Sequence, residues 1–188
     1  MKSLAVACCF AALSVPLSAT AAFDGTVVGH IGQRYLDADD WAPTERQLQF
    51  GVAADFAFGE APVFLSPALQ VSVDTEESGA DEFTMAVSTL SASIRFKPRQ
   101  GTARPYLGLG IASVGASLEA DTATSSLDDD DQSFGWLLQA GLEVHPVRHF
   151  VLGLNIDYLD GTKLEFDEFA FEADVNGPSI TAYFGYSW

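Results

Sequence analysis

From Leu48 the chain alternates strictly. Leu48, Phe50, Val52, Ala54, Phe56 and Phe58 fall on one side; Gln47, Gln49, Gly51, Ala53, Asp55 and Ala57 fall on the other. The same period of two returns at Phe134, Trp136, Leu138, Ala140, Leu142 and Val144, facing away from Gly135, Leu137, Gln139, Gly141, Glu143 and His145. It recurs at Phe150, Leu152, Leu154, Ile156 and Tyr158, and again at Ile180, Ala182, Phe184, Tyr186 and Trp188. Successive side chains of a strand point to opposite faces, so each run predicts a strand with one apolar and one small or polar face. Less regular runs add strands at about 25–35, 63–73, 84–97 and 104–118. A tilted strand needs about 9–11 residues to cross a bilayer, and all eight runs are long enough. No helical pattern of comparable strength competes with them.

The connections alternate too. Those at about 36–45, 74–83, 119–132 and 160–177 are long. Those at about 59–62, 98–103 and 146–149 are short and carry Pro62, Pro98, Gly101 and Pro146. The four long connections hold 21 of the 26 acidic residues and only one cation, Lys163. Lys97, Arg99, Arg104 and Arg148 gather at the short turns. An even-stranded antiparallel meander, with short turns at one rim and long loops at the other, is the pattern of a bacterial outer-membrane barrel. The reading is therefore all-β: an eight-stranded antiparallel up-and-down transmembrane β-barrel over residues 22–188.

Composition agrees once the charges are seen to be segregated. The chain has 188 residues, a formal net charge of −17 and 48% apolar residues; its mean hydropathy is +0.15 and its pI about 4.1. A disordered acidic chain would be poor in apolar residues. A nucleic-acid binder would need a basic patch, which nine cations spread along the chain cannot form. Residues 1–21 read as a secretory signal peptide: the basic start Met1-Lys2-Ser3, an apolar stretch from Leu4 to Leu17, and the small residues Ala19-Thr20-Ala21 before cleavage at Ala21 or Ala22. Both cysteines, Cys8 and Cys9, lie inside it, so the mature chain has no disulfide framework. Membrane embedding is another source of stability for a small exported domain.

Alternation alone does not say which face is inside. A soluble lipocalin-like barrel also has eight alternating strands, with its apolar face turned inward around a ligand. Aromatic residues at strand ends on the apolar face (Phe50, Phe58, Phe96, Phe134, Trp136, Phe150, Tyr158, Tyr186 and Trp188) favour the membrane version, where they form interfacial girdles. The polar face would then line a narrow interior. It collects Arg34, Gln49, Asp55, Ser91, Arg95, Gln139, Glu143, Asn155 and Asp157. Charges there must pair or be hydrated. The expectation is that Arg34 and Arg95 pair with some of Asp55, Glu143 and Asp157, as an internal plug rather than an ion path.

Ser179-Ile180-Thr181-Ala182-Tyr183-Phe184-Gly185-Tyr186-Ser187-Trp188 resembles the C-terminal assembly signal of outer-membrane proteins, with Phe184, Tyr186 and Trp188 as its aromatic positions. Arg104-Pro105-Tyr106-Leu107-Gly108-Leu109-Gly110 resembles the fifth-strand pattern of the small outer-membrane β-barrel family, of the opacity-protein and OmpA-transmembrane type. Gly135 to Tyr158 resembles its strand six–seven hairpin. The resemblance implies recognition by the barrel-assembly machinery, residence in the cell outer membrane among its lipids and lipopolysaccharide, and a monomer. It is uninformative about task, since such barrels serve as adhesins, resistance factors, small channels or anchors. No peptidoglycan-binding domain is expected to follow.

Candidate chemistry is sparse. Lipid A acyl-modifying barrels need a His, Ser and acid at a rim, and none of His30, His145 or His149 stands in a His-x-Ser arrangement. The expectation is no enzyme and no cofactor. Asp128-Asp129-Asp130-Asp131 is a run of hard oxygen ligands that reads as a solvated acidic loop with weak divalent-cation affinity, and without the spacing of a defined calcium loop. The leading role is structural or surface-interacting, with the acidic loops outside and cations or basic surfaces as partners. The alternatives are a narrow channel for small or hydrophobic solutes and the soluble ligand-binding barrel.

Overall fold

The computed structural model describes residues 24–36, 41, 45–78, 81–121, 126–166 and 171–188. The signal peptide expected at residues 1–21 lies outside them.

Strands form where the alternation is clean. They are β1 (Gly25–Tyr35), β2 (Arg46–Ala57), β3 (Val63–Ser78), β4 (Asp81–Phe96), β5 (Ala103–Asp121), β6 (Ser126–Val147), β7 (Phe150–Asp160), β8 (Leu164–Phe166), β9 (Phe171–Ala173) and β10 (Gly177–Ser187). β1 to β7 and β10 close into one antiparallel barrel, ordered β1-β10-β7-β6-β5-β4-β3-β2, while β8 and β9 pair separately. Closure comes from β1 pairing with β10, from Thr26 opposite Ser187 to Arg34 opposite Ser179. A closed barrel leaves no unsatisfied edge within a bilayer, where an unpaired backbone group would cost several kcal/mol.

Burial decides between the two barrel types. The apolar face points out: Ile111 is 70% exposed, Phe134 72% and Leu107 65%. The polar face is buried, with Gln49 at 1%, Gln139 at 2% and Glu143 at 2%. That is the inverse of a soluble protein and rules out the lipocalin-like arrangement, whose apolar side would be enclosed. Aromatic residues stand at both ends of the outer face. Phe58, Phe96, Phe150, Tyr186 and Trp188 lie toward the short turns; Phe134, Trp136 and Tyr158 lie toward the long connections.

Two long connections prove to be mostly strand. β3 and β4 pair without a register break as far as Ser78 opposite Asp81, and β5 and β6 as far as Asp121 opposite Ser126. The segments 74–83 and 119–132 therefore extend the hairpins. Outside the bilayer nothing demands an apolar outer face, so Thr75, Ser88, Ser113, Ser117 and Gln132 take the outward positions and the alternation of hydrophobicity disappears while the pairing continues. The fourth connection, expected as a loop at about 160–177, carries the β8–β9 hairpin.

The interior has two apolar patches. One, near mid-barrel, contains Val28, Ala53, Ala68, Tyr106, Val151 and Tyr183. Its two tyrosines explain two glycines on the polar face. A Cβ at Gly153 would lie 2.1 Å from Tyr183 Cζ, and one at Gly141 would lie 2.4 Å from Tyr106 Cζ. Each ring fills the space that the opposing glycine leaves. The other patch lies toward the long connections, where Met85, Val114 and Leu137 from the wall meet Trp41, Leu164 and Val175.

Candidate functional site

The most chemically loaded part of the molecule is the barrel interior. Lys97, the residue after β4, places Nζ 2.5 Å from Asp55 Oδ2 and 2.8 Å from Glu143 Oε2. Arg95 Nη1 donates to Asp55 Oδ1 at 3.1 Å, and its Nε donates to Gln139 Oε1 at 3.0 Å. Gln139 Nε2 donates in turn to Asp157 Oδ1 at 2.7 Å, and Gln70 Nε2 reaches Asp157 Oδ2 at 3.3 Å. Tyr106 donates to Asn155 Oδ1 at 2.6 Å, with the Arg95 guanidinium 4.9 Å above its ring. The chain of contacts crosses the lumen from β2 through β4 and β6 to β7 and β3.

Of the residues expected in the interior, Arg95, Asp55, Glu143 and Asp157 meet in this network. Arg34 does not join it. Its Nη1 donates to Thr89 Oγ1 at 3.1 Å and its Nη2 to the Val175 carbonyl at 2.6 Å. The expected pairing of Arg34 with a carboxylate is thus corrected: Arg34 lies near the outer end of β1, where it ties β4 to the segment before β10. The member that sequence reasoning missed is Lys97, assigned above to the short-turn cations. The signal was available, because the alternation Ser91, Ser93, Arg95 extends by one more step to position 97. Burying Lys97 also lets its Nζ sit 4.5 Å from the Phe64 ring centroid.

The network fills the middle of the lumen. The cavity among His30, Gln70, Arg95, Tyr106, Asn155 and Tyr183 has a volume of about 20 Å³, about the room of one water molecule. Above it, the apolar cluster forms a second stopper. The Trp41 indole donates to the Asp174 carbonyl at 2.7 Å, and Leu36 N donates to the Glu45 carbonyl at 2.8 Å. Thr162 is held by Asn176 Oδ1 through its amide at 3.0 Å and its hydroxyl at 2.8 Å. These bonds fix Trp41, Leu36 and Thr162 at the outer end of the barrel.

The aspartate run lies in a strand, not in a loop. Asp128, Asp129, Asp130 and Asp131 stand in β6 opposite Glu119, Leu118, Ser117 and Ala116 of β5. An extended backbone does not wrap four consecutive residues around one ion as a calcium loop does. Among the described residues no group of three or more His, Cys, Asp or Glu is placed to hold a metal. Phe184, Tyr186 and Trp188 all lie on the outer face.

The outer membrane protein beta-barrel domain model matches residues 5–187. Among solved structures, the attachment invasion locus protein Ail of Yersinia pestis aligns over 88% of this chain and 99% of its own, with a TM-score of 0.62 and 14% identity. Neisserial surface protein A aligns over 88% of this chain and 97% of its own (TM-score 0.58, 13% identity). The N-terminal barrel of Pseudomonas aeruginosa OprF aligns over 87% and 97% (TM-score 0.51, 13% identity). At these identities the likeness is one of fold. No curated protein matches the chain by sequence.

Proposed function

The chain belongs to the outer-membrane β-barrel family, and from that premise we propose that it is a closed, non-enzymatic barrel whose acidic outer end engages cations or basic surfaces. Its place is the outer membrane. The finer role rests on one observation: β3 to β6 have 16, 16, 19 and 22 residues, against the roughly 9–11 that span a bilayer. The surplus rises beyond the apolar band as two paired hairpins. They carry Asp74, Glu76, Glu77, Asp81 and Glu82 on one, and Glu119, Asp121 and Asp128–Asp131 on the other. Long connections of such barrels face outward, so this charge meets whatever approaches the cell.

The sign of the charge restricts the partner. Ail was solved with the heparin analogue sucrose octasulfate, a polyanion. The acidic hairpins would repel such a ligand and attract its opposite, a basic peptide surface or divalent cations bridging to lipopolysaccharide. Catalysis finds no support in the histidines. His145 Nε2 lies 2.7 Å from Glu143 Oε1, and His149 Nδ1 lies 2.7 Å from the Ser187 carbonyl. Neither contact involves a serine hydroxyl. The remaining elements of the reading are an export signal at residues 1–21, insertion by the barrel-assembly machinery through the C-terminal strand, and a monomeric state.

The test is binding of an oligolysine probe and of heparin to the barrel in nanodiscs at low and high salt. The reading expects salt-sensitive binding of oligolysine and none of heparin. Preference for heparin contradicts it.

A further inference from the structure

At the end opposite the acidic hairpins, the barrel mouth holds a polar pocket of about 170 Å³, lined by Asp24, Thr26, Phe64, Lys97, Arg99 and Arg104 among others. We propose that this periplasmic mouth binds a small oxyanion, a phosphate or a carboxylate, on the guanidinium of Arg104. The proposal does not depend on what the outer end binds. Short turns of such barrels face the periplasm, so the ligand enters from that side.

The cations around the pocket are not equivalent. Lys97 is neutralised by Asp55 and Glu143. Arg99 is fixed on three sides: Nε donates to the Ala61 carbonyl at 2.8 Å, Nη1 to Asp24 Oδ2 at 2.9 Å and Nη2 to the Gly59 carbonyl. Arg104 is different. Its Nε donates to the carbonyl of Gly101 at 3.2 Å, in a turn whose φ of 106° suits glycine. Its Nη1 lies 3.9 Å from Glu143 Oε1, beyond hydrogen-bond reach. Among the described residues neither Nη group has an acceptor, yet the side chain is only 22% exposed.

A guanidinium held by Nε, with Nη1 in only a long ion pair to Glu143 and neither Nη group hydrogen-bonded among the described residues, presents the planar fork that a carboxylate or phosphate accepts bidentately. Charge does not oppose it. Lys97, Arg99 and Arg104 line the pocket beside the single acidic side chain Asp24, in a molecule of formal charge −17. The oxyanion has two sources, the headgroup phosphate of an inner-leaflet lipid or a free anion of the periplasm.

The experiment is a titration of inorganic phosphate into the full barrel in maltoside micelles, which contain no phosphate, followed by amide NMR. Folding of each variant is checked by heat-modifiable gel mobility. The proposal expects saturable shifts at Thr102–Arg104 and Gly25–Thr26, with affinity about tenfold weaker in Arg104→Gln and unchanged in Arg148→Gln, a turn cation outside the pocket. Absence of saturation in the wild-type barrel overturns it, as does equal affinity in Arg104→Gln. Should Arg104→Gln fail to fold, the wild-type titration together with Arg104→Lys, which keeps the charge and loses the fork, decides. Repeating the titration in phosphatidylglycerol nanodiscs separates the sources. Shifts abolished there assign the site to a headgroup; shifts retained assign it to a free anion.

Discussion

The two ends of the barrel are stoppered by opposite chemistry. At the periplasmic end the lumen is filled by ions: Lys97, Arg95, Asp55 and Glu143 within 3.1 Å of one another in pairs. At the outer end the stopper is hydrocarbon: Met85, Val114, Leu137, Leu164 and Val175 around Trp41. The difference follows from what each end must satisfy. The wall's inward face is polar because its outward face must be apolar, and narrow strands crossing the bilayer leave no space to hydrate a bare charge, so charges there come in contacting sets. Beyond the bilayer the wall stands in water on its outer side. There it folds like an ordinary soluble sheet, with polar residues out and apolar residues in.

The contrast can be broken first from below. Lys97→Met leaves Asp55 and Glu143 short of a buried partner and should cost about 3–5 kcal/mol. Urea unfolding of the micelle-bound barrel reads the loss, and because the pair is buried the loss should persist at high salt. From above, Trp41→Ala removes the aromatic centre of the apolar stopper and one hydrogen bond, and should cost about 3 kcal/mol. Its distinguishing sign is local: hydrogen exchange should speed up at Leu164 and Val175 and leave β1 and β2 protected.

Between the ends, Gly153→Val puts a side chain where the Tyr183 ring lies. Overpacking of this kind costs about 1–3 kcal/mol, and the pairing of β7 with β10 should weaken more than that of β5 with β6. The smallest effect belongs to the acidic hairpin of β5 and β6. Replacing Asp128–Asp131 together by Asn should change stability by less than about 0.5 kcal/mol while weakening oligolysine binding several-fold. A large loss of stability would show that the acids hold the hairpin rather than serve a partner.

Much of this was legible in the chain itself, and the exceptions have physical reasons. The alternation at Leu48–Phe58 and at Phe150–Tyr158 marks strands because a bilayer on one side and a filled lumen on the other impose it residue by residue. The same pressure placed Asp55, Arg95, Glu143 and Asp157 inside. Which charge meets which was not legible. Asp55, Lys97 and Glu143 come from strands that are not neighbours, and they meet only because the closed wall is narrow enough for side chains to reach across it. Arg34 shows the converse: it shares the polar face and, through Ser179, the level of Asp157 two strands away, but its guanidinium is taken up by Thr89 and the Val175 carbonyl. The tops of β3 to β6 went unrecognised because, out of the bilayer, strand pairing leaves no hydrophobic signature on the outer side.

A barrel stoppered at both ends would act at its surfaces and not through its lumen. Single-channel recording of the purified barrel in planar bilayers tests this most directly. A plugged barrel stays silent across the voltage range; a steady, resolved conductance from the wild-type protein would show the lumen to be open.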